Sequence, residues 1–134
     1  MATTQDYAKL SPGEERIAKQ IVDSAYRVHV QIGPGLLESV YKTCFCYEVR
    51  KRGLDVQTEV PVAIFYDGQQ LEGGLRLDLL VEGQIIRELK AVKEIHPVFE
   101  AQILSYLKLT KRRLGFLINF NVPLIREGIK RIIL

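Results

Sequence analysis

Gly74-Leu-Arg-Leu-Asp78-Leu-Leu-Val-Glu82-Gly83-Gln-Ile-Ile-Arg-Glu88-Leu-Lys90 is the stretch on which the fold turns. Apolar residues fill a strand-length run on each side of the Glu82-Gly83 turn signal, so the stretch reads as a β-hairpin. A three-residue loop of Glu82, Gly83 and Gln84, with Gly83 at the φ > 0 position, sets Asp78 directly opposite Glu88. Side chains alternate along a strand, so Glu88 and Lys90 share one face and Asp78 joins them there. Two carboxylates and an ammonium then meet on a surface otherwise built from Leu, Ile and Val. Such a meeting is costly unless the charges are used.

Outward from the hairpin, the period-two pattern extends upstream through Val56, Val60, Val62, Ile64 and Tyr66 to the turn signal Asp67-Gly68. Pro61 inside this strand predicts a bulge or an edge position. Before it, Ser11-Pro12-Gly13-Glu14 is a capping box with proline at the first helical position. Ile17, Ile21, Ala25, Val28 and Ile32 mark one face of the helix that follows, and Gly33-Pro34-Gly35 stops it. A second helix is expected from about Leu36 to Arg52, with Leu36, Leu37, Val40, Cys44 and Tyr47 as its buried stripe and Gly53 as terminator. Downstream, His96-Pro97 precedes a third helix with Phe99, Ile103, Tyr106 and Leu107 spaced for burial. Leu114 to Phe120 is a continuous apolar run, read as a buried strand, and Ile129 to Leu134 as a last one. The expected order is α-α-β-β-β-α-β-β, an α/β fold with a mixed β-sheet flanked by helices. Residues 1–10 carry no periodicity and read as a loose N-terminal arm, leaving 11–134 as one domain.

The 134 residues are enough for one domain burying roughly two-thirds of its unfolded surface. Composition is that of a soluble globular protein, and the net charge of +3 permits an anionic partner without demanding one. No apolar run approaches the ~18 residues that span a bilayer, and the N-terminus has no signal-peptide core. No membrane partner and a cytoplasmic setting are expected. Cys44 and Cys46, two apart on a helix, point about 200° from each other, which argues against a disulfide between them.

Asp78, Glu88 and Lys90 are the first candidates for chemistry. Paired carboxylates repel, and a divalent cation relieves that repulsion by binding both. Oxygen-rich, imidazole-poor ligands favour Mg²⁺ or Mn²⁺ over zinc. The Leu89 carbonyl, between the charged pair, is a third candidate ligand. Lys90 is placed to orient a water and to stabilise charge developing on a phosphorus centre. The competing reading is an exposed strand face laced with cross-strand ion pairs. Glu38 lies in the first turn of the second helix, where the helix dipole favours a negative charge, and Tyr41 is one turn on along the same flank. Gln102 and Tyr106, at i and i+4, share a face of the third helix. Glu59 faces either the site or solvent. His29 reads as a structural histidine and His96 as a loop residue. Lys108, Lys111, Arg112 and Arg113 cluster at the end of the third helix, either as dipole partners or as a phosphate-contacting edge.

Taken together these motifs resemble the PD-(D/E)XK nuclease superfamily in its RecB-like branch: a helical Glu38, then Gly74 to Asp78, then Glu88-Leu-Lys90, then Gln102 to Tyr106, in that order. More narrowly, Gly35-Leu-Leu-Glu38-Ser-Val-Tyr41 looks like the signature of the GxxExxY protein family. The resemblance covers roughly residues 14–134. It implies a restriction-endonuclease-like core and a metal-dependent nuclease of DNA or RNA. Asp78 and Glu88 would hold Mg²⁺ or Mn²⁺ with the Leu89 carbonyl, Glu38 would complete the acidic cluster, and Lys90 would assist the attacking water. Tyr41, Gln102 and Tyr106 would support the cluster or touch substrate. The alternative it leaves open is a non-catalytic nucleic-acid-binding module or partner subunit on the same scaffold. Proteins of this fold and size often grip a duplex as two copies, so a homodimer is a further expectation.

Overall fold

Ser11 opens the first helix with both halves of its capping box: Glu14 N–H donates to Ser11 Oγ at 3.1 Å and Ser11 N–H to Glu14 Oε1 at 2.9 Å. The computed structural model describes residues 10–134. The arm expected over residues 1–10 lies outside the described residues apart from Leu10, which is buried in the core. Helix α1 spans Pro12–Ile32 and buries Ile17, Ile21, Ala25 and Val28. Gly33, at φ 68, ends it. His29 is structural, its Nε2 lying 2.8 Å from the Val122 carbonyl oxygen.

Helix α2 spans Glu38–Lys51, and here the expected stripe is corrected. Leu36, Leu37, Val40 and Tyr47 are exposed, while Tyr41, Phe45, Cys46, Glu48 and Val49 are buried. The helix carries apolar residues on two flanks, and the aromatic one wins. Tyr41 stacks on Phe120 with ring centroids 4.6 Å apart. Its hydroxyl donates to Gly33 O at 2.6 Å and accepts from Leu36 N–H at 3.1 Å, tying the Gly33-Pro34-Gly35 loop to the core.

Strands β1 (Val56–Tyr66), β2 (Gln69–Val81) and β3 (Ile85–Lys90) precede helix α3 (Pro97–Thr110) and strand β4 (Leu114–Asn119). A short 3₁₀ turn, Ile125–Glu127, leads to β5, Ile129–Ile133. The sheet is five-stranded, ordered β1-β2-β3-β4-β5. Only β3 and β4 run parallel, with Ile85 opposite Leu114 and Lys90 opposite Asn119. The expected element order is the observed one. Strand β1 is both an edge and irregular, its register shifting between Val62 and Ile64. Gly74 is required at that bulge, because a Cβ there would meet the Val62 carbonyl oxygen at 2.7 Å. Gln84 N–H closes the β2–β3 turn on Val81 O at 3.0 Å. Both Glu82 and Gly83 take positive φ in it, at 52° and 65°, where glycine alone was expected to.

Helices cover both faces. Residues of α1 and α2 share a core with Leu79, Val81, Ile85, Leu89, Phe116 and Ile118. Ile103 and Leu107 of α3 share the other with Leu77, Leu80, Ile86, Leu117 and Ile132. Adjacent residues Ile85 and Ile86 thus serve opposite cores, as strand alternation requires. Both cysteines are free. Among the described residues no helix is long and apolar enough to cross a membrane.

Candidate functional site

Strands β2 and β3 part company early. Their ladder holds three pairs and ends at Leu79 opposite Arg87; beyond it β2 follows β1 and β3 follows β4. Asp78 and Glu88 are the next residues on the two sides of this fork. There the Leu89 N–H donates to Asp78 Oδ2 at 3.2 Å.

The fork is matched by a fault in the neighbouring strand. The β1–β2 ladder skips the Glu59–Asp78 position, and Glu59 stands at φ 50. The pleat changes phase at this point. Leu79 belongs to the core under α1 and α2, yet Leu77, two residues away, belongs to the core under α3. A non-glycine residue at positive φ carries a strain on the order of 1 kcal/mol or more, and such strain gathers at functional sites.

Charge is concentrated at the fork. Burial and then the neighbouring Asp78 carboxylate push the Glu88 carboxyl up to about 7, with Glu38 adding to the rise; Lys90 and a backbone hydrogen bond from Asp78 oppose it. The Tyr106 hydroxyl is raised by burial and by the Glu88 charge, which places the phenol within electrostatic reach of the carboxylate. Lys90 is half-buried, its Nζ lying 4.6 Å from the Phe99 ring centroid. Groups from β2, β3 and α3 therefore converge, with the charge of Glu38 on α2 felt at Glu88.

Two cations at the fork stand outside the sequence motifs. Lys42 Nζ lies 2.7 Å from Asp78 Oδ1 and 3.7 Å from Glu59 Oε1. Burial works against this ammonium, but Asp78 and Glu59 outweigh it and hold its pKa above the usual lysine value. Its signal in the sequence was position alone, one helical turn after Glu38. Arg87 is fully buried, with its guanidinium carbon 3.5 Å from the Phe45 ring centroid. Among the described residues its three guanidinium nitrogens find no hydrogen-bond partner. Burial lowers its pKa to about 9, against the charges of Cys46 and Asp78. Its signal was a charge on the inward parity of an otherwise apolar strand.

Other expected site residues are not gathered in. Tyr41 is fully buried and committed to the Gly33 loop, so of its two expected roles, touching substrate or supporting the cluster, direct contact with substrate is closed to it. Glu38 and Gln102 are exposed, and of these Glu38 reaches the cluster only through its charge on Glu88. Lys111, Arg112 and Arg113 lie beside the start of β4, opposite Ile85, whereas Lys90 faces the end of β4. At about 3.3 Å per residue that separation is roughly 17 Å along the strand. Arg112 Nε donates to Gly83 O at 3.0 Å, on the hairpin tip. Lys108 is exposed on α3. Among the described residues no three His, Cys, Asp or Glu side chains are grouped closely enough to hold a metal ion.

The family model of the PD-(D/E)XK nuclease superfamily matches residues 15–132, nearly the whole chain. The chain belongs to this superfamily. No curated protein and no solved structure matches it. The mixed sheet flanked by helices is a restriction-endonuclease-like core, and the domain is nuclease-like. Asp78 and Glu88-Leu-Lys90, the residues whose spacing resembles the PD-(D/E)XK pattern, stand at the fork, and Gly74 serves the bulge that precedes it.

Proposed function

We propose that this protein is a divalent-metal-dependent phosphodiesterase that hydrolyses DNA or RNA. The observation that carries the reading is the Glu88 carboxyl, raised to about 7 by burial and by Asp78 at a break in the sheet, with Lys90 beside it. Carboxylates forced together in this way suit a hard divalent cation, Mg²⁺ or Mn²⁺. Asp78, Glu88 and the Leu89 carbonyl would hold it, with Glu38 contributing charge from α2. When bound, such a cation supplies Lewis acidity toward a phosphate. Lys90 donates hydrogen bonds to the attacking water and to the phosphate oxygen on which charge grows. Tyr106, near Glu88, contacts substrate or steadies that carboxylate, and Gln102 lies one turn before it on α3. The Gly35-to-Tyr41 signature supports the narrower GxxExxY assignment, with Tyr41 as its structural anchor. A cytoplasmic setting and a homodimer that grips a duplex complete the reading.

Purified protein assayed with Mg²⁺ and Mn²⁺ on single-stranded, duplex and branched DNA and RNA tests this directly. Cleavage is expected with at least one substrate, and Lys90→Ala should abolish it while leaving the melting curve unchanged. Activity that survives this substitution would sink the assignment. The ion pair of Lys42 with Asp78 favours one second reading, a binding module or partner subunit on the nuclease scaffold. Salt-sensitive nucleic-acid binding with no turnover under any divalent metal would select it.

A further inference from the structure

Both oxygens of Asp78 are already engaged. The Leu89 N–H holds Oδ2 at 3.2 Å, and the Lys42 ammonium lies 2.7 Å from Oδ1. Lys42 projects from α2, not from either strand of the fork, and its stem leaves the side chain only 23% exposed. Glu88 has its own ammonium in Lys90, whose charge opposes the rise in its pKa. The two carboxylates at the fork are thus matched by two separate lysines. They differ in one respect: Lys42 has a second carboxylate, Glu59 Oε1, 3.7 Å away on the edge strand β1, where the Glu59 side chain is exposed.

We propose that Lys42 is an internal counter-cation seated on the Asp78 carboxylate, which an incoming divalent cation must displace toward Glu59. Lys42 thereby sets the cation concentration at which the site fills. This rests on the reading of Asp78 and Glu88 as ligand carboxylates. Displacement breaks the contact between the Lys42 ammonium and the Asp78 carboxylate, an attraction between unit charges that relaxation and salt screening reduce but do not remove. A bound divalent cation also repels an ammonium held at the same oxygen. Both effects have the same sign, and each weakens cation binding while Lys42 stays in place. A flexible lysine stem with a nearby carboxylate to move to lets the exchange proceed without unfolding α2.

Titration calorimetry with Mn²⁺ alone, without nucleic acid, tests the displacement. Lys42→Gln should bind Mn²⁺ at least about tenfold more tightly than the unsubstituted protein, with unchanged stoichiometry. Lys42→Arg, which keeps the charge, should stay near the original affinity. Asp78→Asn should remove the heat in each background. Lys42→Met keeps the packing of the stem and must show the same tightening if Lys42→Gln melts early. An Asp78-dependent Mn²⁺ site whose affinity is unchanged or weakened in the uncharged variants overturns the inference while sparing the proposed function. Absence of any Asp78-dependent Mn²⁺ binding, with or without Lys42, overturns both.

Discussion

Two ends of the same strand pair carry charge in this molecule, and they treat it differently. At the tip, Lys111 and Arg112 stand beside the Glu82-Gly83 turn, with Lys111 closing α3 in the left-handed conformation and Arg112 donating to Gly83 O. At the fork, Asp78, Glu88, Lys90, Lys42 and Arg87 crowd the place where β2 leaves β3, and the pKa values of Glu88, Lys42 and Arg87 all move. Charge at the tip meets solvent and backbone dipoles, so its cost is small. Charge at the fork meets apolar side chains and other charges, where each unit displaces a protonation equilibrium. Burial, more than the number of charged residues, separates a candidate reaction centre from a helix terminus.

Substitutions at the two ends should separate them by effect size. The largest contrast is in cleavage: Lys90→Ala is expected to lower the rate by at least roughly a thousandfold, to below detection, whereas Lys111→Ala should leave turnover at saturating substrate unchanged. Equal losses from both in a nuclease assay would erase the distinction between fork and tip.

Next in size is Arg87. Buried and, among the described residues, without a hydrogen-bond partner, its guanidinium costs several kcal/mol, and stacking on Phe45 returns only about 2. Arg87→Met should therefore raise stability by about 1–4 kcal/mol, read as a shifted urea midpoint at constant slope. A lowered midpoint would mean that the guanidinium stabilises the fork through Asp78.

Glu88 gives a pH signature of similar or smaller size. Its folded pKa is raised from 4.5 to about 7, so the folded state favours the neutral acid. Its stabilising contribution is fully present below pH ~4.5 and is lost as pH rises through 7, by on the order of 3 kcal/mol at most. Glu88→Gln should remove that part of the decline between pH 4.5 and 7 in divalent-free buffer, measured by chemical denaturation. A parallel pair of stability curves would show that Glu88 titrates normally. The smallest effect belongs to the tip, where Arg112→Ala should change stability by no more than about 1 kcal/mol, the net worth of one exposed hydrogen bond.

Much of this was legible in the residues because it is local. The capping box, the stop at Gly33 and the β2–β3 register follow from interactions within a few positions, and backbone geometry decides them before any distant contact forms. The three-residue loop after Val81 sets Leu79 opposite Arg87, which brings Asp78 and Glu88 to the two sides of the fork. Pro61 announced an irregular edge strand, though not that the β1–β2 ladder would skip Glu59 and Asp78 as well. Tyr41 was read as a neighbour of Glu38 on a helix flank; its true partners, Gly33 O and Phe120, lie outside that helix.

Pattern and spacing established which elements form, in what order, and how the hairpin is aligned, since each depends on torsions and side chains close along the chain. Tertiary packing alone chose which of two apolar flanks of α2 faces the sheet. It also seated Lys42 on Asp78, buried Arg87 against Phe45, and sent the basic cluster after α3 to the far end of β4 from Lys90. These outcomes depend on surfaces separated by tens of residues, whose fit is decided by shape and by the cost of burying charge, and neither is written in the spacing of any one segment.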